Sequence, residues 1–154
     1  MKQFYVLGTR LIFVLGLIGT LFMLLPVLSF EDIEFTGYEV VFGVEILDVN
    51  PFNLGSIASA KLPFSFLAFL AFLLPLVGGI IALASKKLLL LSLVLFVVGF
   101  FLLIILPNNI NIVYTVAGSE STESVDWNAM FGLVGAIVAT GLAAIANLVL
   151  ILKP

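Results

Sequence analysis

Hydrophobic positions gather into four long runs, 11–28, 64–84, 88–106 and 128–152, with almost no charge inside any of them. Each approaches or exceeds the roughly 18–20 residues a helix needs to cross the hydrocarbon core of a bilayer. Longer mixed segments, 29–63 and 107–127, separate the first run from the second and the third from the fourth, while only Ser85-Lys86-Lys87 joins the second to the third. The pattern predicts a membrane all-α fold. One domain over 1–154 would form a four-transmembrane-helix bundle, with a small extracytoplasmic β-hairpin or sheet contributed by the two outer loops.

Small residues inside the runs predict how they pack. In the last run, Gly132, Ala136, Thr140 and Ala144 recur every four residues, and Gly135, Ala139, Ala143 and Asn147 form a second row beside them. On a helix the two rows merge into a smooth face that admits another helix closely. This run therefore reads as the packing helix, with the others gathered around it. Gly16, Gly19 and Thr20 make a patch on the first run suited to meet it. Ala68, Ala71, Pro75, Gly78, Gly79 and Ala82 form another close-packing face on the second. Pro75 should kink that helix, leaving neighbours to replace the lost hydrogen bond. The third run is nearly all Leu, Val, Phe and Ile, with Ser92 and Gly99 as exceptions, and reads as the span most exposed to lipid.

The first run follows Lys2 and Arg10, as a signal peptide would. However, it exceeds the usual h-region of about 7–15 residues and no A-x-A pattern follows. It reads as an uncleaved span that stops near Pro26.

The outer loops alternate. Tyr38, Val40, Phe42, Val44 and Ile46 fall on one side, with Glu39, Gly43 and Glu45 on the other, which predicts a strand ending at Asn50-Pro51 and bent at Gly37 and Gly43. The apolar side either docks a partner or covers the helix tops as the core of a hairpin on the membrane surface. Ile110, Ile112, Tyr114 and Val116 predict one more strand, pairing with that hairpin. Gly118 to Ser124 reads as a polar, mobile piece. Ser124 or Asp126 suits the cap of the last helix, and Trp127 the membrane–water interface.

Charge sets the orientation. With both termini cytoplasmic, Lys2, Arg10, Lys86, Lys87 and Lys153 lie inside and only Lys61 outside, a strong positive-inside bias. The short loops and lean termini point to a bacterial plasma membrane.

Composition narrows the chemistry. The chain of 154 residues is 63% hydrophobic and 10% charged, with neither cysteine nor histidine. Disulfides, thiolate metal sites and histidine acid–base chemistry are thereby excluded. Nucleotide-loop, zincin and nucleophile-elbow motifs are absent, and no basic patch suits nucleic acid. Ser85 and Lys86 are neighbours on a turn and do not face each other as a dyad. Glu31, Asp32 and Glu34 lack a calcium-loop pattern and read as a solvated acidic rim. Arg10, at the edge of its run, reads as a snorkelling cation. Asn147 is the one strongly polar side chain deep in a span and reads as a cross-helix hydrogen-bonding group.

The plan of a long strand-bearing first outer loop, a tight inner turn and a shorter second outer loop resembles the claudin-type four-span architecture. The claudin hallmark, G-L-W followed by two cysteines in the first loop, is missing here. The resemblance implies a similar shape, and no residue role is carried over.

These features predict a non-enzymatic accessory or scaffold subunit, without cofactor or metal. Its partners would be the lipid bilayer and either a membrane-protein partner or a second copy. The alternative is a small transporter or channel for an apolar or amphipathic solute, with Asn147 and Thr140 on its path.

Overall fold

The computed structural model describes residues 2–49 and 58–152, with only the backbone of Lys2 and Val49. The expected stop at Asn50-Pro51 and the terminal Lys153 lie outside the described residues. Helix α1 runs Lys2–Leu21, nine positions ahead of the apolar run that predicted it. Tyr5, Val6 and Leu7 extend the apolar stretch toward the start, and helix propagates through them. A 3₁₀ turn, Phe22–Leu24, closes the helix, and the Leu25 N–H donates to the Phe22 carbonyl at 3.1 Å. Pro26 follows, which forces Leu25 into extended backbone and ends the helix several residues short of position 28.

Strand β1, Pro26–Phe30, turns through Glu31-Asp32 into β2, Ile33–Thr36. The next six residues correct the sequence reading: Gly37–Phe42 is a short helix, α2, and not part of a strand. Thr36 and Glu39 form a capping box. The Thr36 hydroxyl oxygen accepts from the Glu39 N–H at 3.3 Å, and the Glu39 carboxylate accepts from the Thr36 N–H at 2.8 Å. That T-x-x-E signal starts a helix whatever the alternation that follows. Gly43, at φ +87°, ends it, in a backbone region that favours glycine.

Beyond Gly43 a four-stranded antiparallel meander is built from β3, Val44–Val49; β4, Ala58–Leu62; β5, Asn111–Val116; and β6, Ser119–Ser124, in that order. The strand expected from Ile112, Tyr114 and Val116 pairs with the first outer loop, Ala58 opposite Val116 and Lys61 opposite Val113. Ala117 and Gly118 both take positive φ, the two-residue hairpin turn that sets the register of β6. The segment read as mobile is thus an ordered edge strand. Backbone pairing organises it although its side chains are all exposed. A last strand, β7, Asn128–Ala129, pairs with β1 and completes a three-stranded sheet ordered β2-β1-β7.

Helices α3, Phe66–Ala84, α4, Leu89–Ile105, and α5, Phe131–Leu152, follow the remaining apolar runs. Together with α1 they are, among the described residues, the four helices long and apolar enough to cross a membrane. α5 starts late because β7 is already engaged and the Met130 N–H donates to the Val27 carbonyl at 2.9 Å. Neither Ser124 nor Asp126 caps it; its first turn is closed by the Val134 N–H on the Met130 carbonyl.

α1 and α4 each pack on both α3 and α5, while α3 and α5 touch only slightly. α5 therefore occupies one corner of four and is not a hub. The expectation for the third span also changes. Leu89, Ser92, Phe96, Gly99 and Leu103, at steps of three and four, give α4 a buried stripe. The first span buries 22% of its most apolar stretch and the third 28%, so α1 is the more exposed of the two. Two apolar clusters hold the molecule. One joins the helix ends to the sheets through Val27, Leu28, Phe72, Leu106 and Leu133, and the other fills the opposite end around Ile12, Phe96 and Leu150.

Candidate functional site

The chemistry inside the spans is a thread of neutral polar groups. On α3, Gly78 has no side chain to shield its carbonyl. Ser92 of α4 donates its hydroxyl to that carbonyl at 2.7 Å, and Asn147 of α5 donates its amide Nδ2 to the Ser92 oxygen at 2.7 Å. Ser92 has a single hydroxyl proton and gives it to Gly78, so its oxygen can only accept from Asn147. This fixes the amide orientation and points Oδ1 elsewhere. Ser92 and Asn147 are wholly buried, and Oδ1 has no partner. A buried polar atom left so costs about 1–3 kcal/mol. The Thr140 hydroxyl, equally buried, is also unpartnered.

A second polar contact lies on the other side of α3. Pro75 has no N–H for the carbonyl of Ala71 and disturbs the turn before it. The Thr20 hydroxyl reaches into that turn and donates to the Phe72 carbonyl at 2.7 Å. Next to it α1 and α3 meet backbone to backbone. Any side chain at Gly16 would run into the Pro75 carbonyl oxygen, and one at Gly79 would stand 3.1 Å from the Phe13 Cα.

The residues expected to pack separate into several contacts. Gly19 faces Thr140 and Ala136 of α5, whereas Gly16 and Thr20 face α3. Gly78 and Gly79 look in different directions, toward Phe96 and Phe13. Ala136, Ala139, Thr140, Ala143 and Asn147 are buried along α5, and Ala144 is half-buried. Gly132 and Gly135 meet the C-terminal end of the first span and the start of β1. A Cβ on Gly132 would lie 2.5 Å from the Pro26 carbonyl oxygen, and one on Gly135 would meet the Phe22 ring. The five loop residues expected to share a face do not share one. Tyr38 and Phe42 are exposed, Val40 is buried, and Val44 and Ile46 lie half-buried in β3.

Three residues do more in the fold than their sequence pattern signals. Ser92 was visible as the one polar residue of its run, but its two partners lie 14 and 55 positions away. Phe96 wedges between Gly16 and Gly78. Trp127 does more than mark a surface. Its indole N–H donates to the Ile110 carbonyl at 2.8 Å and its ring meets Phe30 and Phe35 edge-on, so it ties the two sheets together.

Charge divides the molecule. Every Asp and Glu lies in the sheet-bearing end, while Arg10, Lys86 and Lys87 lie toward the other. Lys86 sits over the Tyr5 ring at 4.4 Å, and Ser85 caps the turn by accepting from the Lys87 N–H, so no serine–lysine dyad forms. On the outer face of α1 a groove of about 320 Å³ is lined by Gln3, Val6, Leu7 and Arg10. No carboxylate side chain of the chain reaches that end. Among the described residues no group of three His, Cys, Asp or Glu side chains gathers to hold a metal. Compared with protein families, curated proteins and solved structures, the chain matches none.

Proposed function

We propose that the chain is a non-enzymatic integral membrane subunit, an accessory or scaffold protein that packs against partner membrane proteins or a second copy of itself. Its four helices would form a transmembrane bundle with both termini cytoplasmic and the two sheets outside, in a bacterial plasma membrane. The observation carrying the proposal is the exterior of α1. Arg10 stands exposed on a largely apolar helix face with Leu7, Leu11 and Val14 around it, and no ion pair to it forms among the described residues. A cation near the end of an apolar span either snorkels to the headgroups or pairs with an anionic group of a neighbouring protein, and the accessory reading takes the second. The close backbone contacts at Gly16 and Gly79 further support a structural role, because they leave no passage between α1 and α3 at that level.

Native mass spectrometry from the host membrane tests the reading. A complex of fixed stoichiometry, lost when Arg10 is changed to Glu and kept in Arg10→Lys, is the expected result. Recovery of wild type and Arg10→Glu in the same monomeric state overturns it.

The second reading, a small transporter or channel for an apolar or amphipathic solute, is favoured by the unpartnered Asn147 Oδ1 and Thr140 hydroxyl inside the spans. It requires solute flux in liposomes that falls in Asn147→Leu.

A further inference from the structure

Helix α2 has two unlike faces. Gly37, Val40 and Val41 are buried, and the Val41 carbonyl accepts from the Ser65 N–H just ahead of α3. Glu39 is folded back onto Thr36, where its carboxylate accepts from both the backbone N–H and the hydroxyl. Outward are left Tyr38 and Phe42, with ring centroids 4.6 Å apart. The ring contacts continue from Phe42 to Phe64, from Phe64 to Phe69, and from Phe69 to Phe66, each step near 6.5 Å. Tyr38, Phe42, Phe64 and Phe66 are between 49% and 62% exposed. The result is a ridge of five aromatic rings from α2 onto the first turn of α3, in which no charged side chain takes part.

We propose that this ridge is an interfacial membrane anchor: α2 lies in the leaflet on the sheet-bearing side, with its aromatic face in lipid at the boundary of headgroups and acyl chains. Continuity selects lipid as the occupant. The ridge begins at Phe66, the first residue of α3, where an apolar span leaves the hydrocarbon, and its surface runs on from that of the span. Aromatic side chains concentrate at that depth in membrane proteins. Tyr38, the one ring with a hydroxyl, stands at the end of the ridge away from α3, as an amphipathic ring at the headgroups should. A short helix with one face on protein and the other in the interface then fixes the height of both sheets above the bilayer. The inference rests on the four helices crossing a bilayer and not on the accessory role.

The chain has no cysteine, so single introduced cysteines can carry a nitroxide without background labelling. Tyr38→Cys, Phe42→Cys and Phe64→Cys alter exposed rings and leave the buried face of α2 intact. With the labelled protein in phosphatidylcholine–phosphatidylglycerol vesicles, accessibility to oxygen and to a water-soluble nickel chelate is read by power saturation. Asp32→Cys serves as the aqueous control and Val94→Cys as the mid-span control. The oxygen-to-nickel ratio at Phe42 and Phe64 should exceed the aqueous control several-fold and stay below the mid-span control, with Tyr38 nearer water. Ratios equal to that of Asp32 overturn the inference, as does exclusion of both reagents, which would place a protein partner or second copy on the ridge. An aqueous ratio at Val94 would instead overturn the spanning of the helices.

Discussion

Gly132→Ala is the substitution in which backbone geometry gives the clearest prediction. A Cβ at this position lies 2.5 Å from the Pro26 carbonyl oxygen, 3.1 Å from its carbon and 3.2 Å from the Leu25 Cβ. Real Cβ atoms essentially never approach nearer than 3.0 Å, so α5 and β1 must separate by at least 0.5 Å. Neither side can yield by rotating a side chain. β1 is paired on both edges, by β2 and β7, and Met130 beside Gly132 is hydrogen-bonded to Val27. Overpacking of this kind costs about 1–3 kcal/mol. Helix propensity returns at most about 1 kcal/mol.

Gly141→Ala supplies the comparison within the same helix. Its Cβ would meet only the Phe100 ring at 3.2 Å, which can turn aside, so propensity dominates there. The two variants should differ by about 2 kcal/mol, roughly 30-fold in the unfolding equilibrium. Unfolding in mixed micelles of rising dodecyl sulfate fraction, followed by far-UV circular dichroism and by fluorescence of the single tryptophan, measures the difference. Trp127 packs on Phe30 and Phe35 of the sheet beside Pro26, so its signal should be lost at lower dodecyl sulfate in Gly132→Ala than in wild type. Equal stability of the two variants refutes the reasoning.

The interhelical thread makes Ser92→Ala costly by about 1–3 kcal/mol, because it strands the Asn147 amide. A double-mutant cycle with Asn147→Leu in the same unfolding assay should show a coupling of about 0.6–1.7 kcal/mol, and zero coupling would remove the thread as an energetic unit. Thr36→Ala should cost about 0.5–2 kcal/mol through loss of the cap, seen as faster amide exchange across Val40–Phe42 with no change in α3; unchanged exchange would contradict the capping box. Glu120→Gln should shift stability by less than about 1 kcal/mol, because the 3.7 Å pair with Lys61 is exposed on both sides, and a larger loss would show that the edge strand depends on it.

The sequence by itself determined the long elements. Apolar runs of near-spanning length have one economical way to satisfy their backbone groups, so 64–84 and 88–106 could be read to within a few residues from composition alone. The pairing of β5 with the first loop was legible for a similar reason, since alternation and a Pro-Asn-Asn break bounded it. Local signals competed in α2. Period-two alternation points to a strand there, while the Thr36-x-x-Glu39 cap, equally present in the sequence, starts a helix, and the cap wins. Asp126 is well suited to cap a helix, but α5 begins at Phe131 because β1 claims Asn128 and Ala129 first.

Tertiary structure alone decided which small residues meet which helix. A glycine face permits close approach without naming the partner, so Gly132 could be placed on a packing face but not against Pro26, and Gly16 not against Pro75. It alone joined Gly78, Ser92 and Asn147, whose side chains are short and neutral and become a unit only where three helices converge. It alone also turned Tyr38 and Phe42 outward into line with Phe64. That ridge depends on the reversal at Gly43, which is local, and on β4 returning the chain beside α2, a long-range outcome that no local spacing encodes.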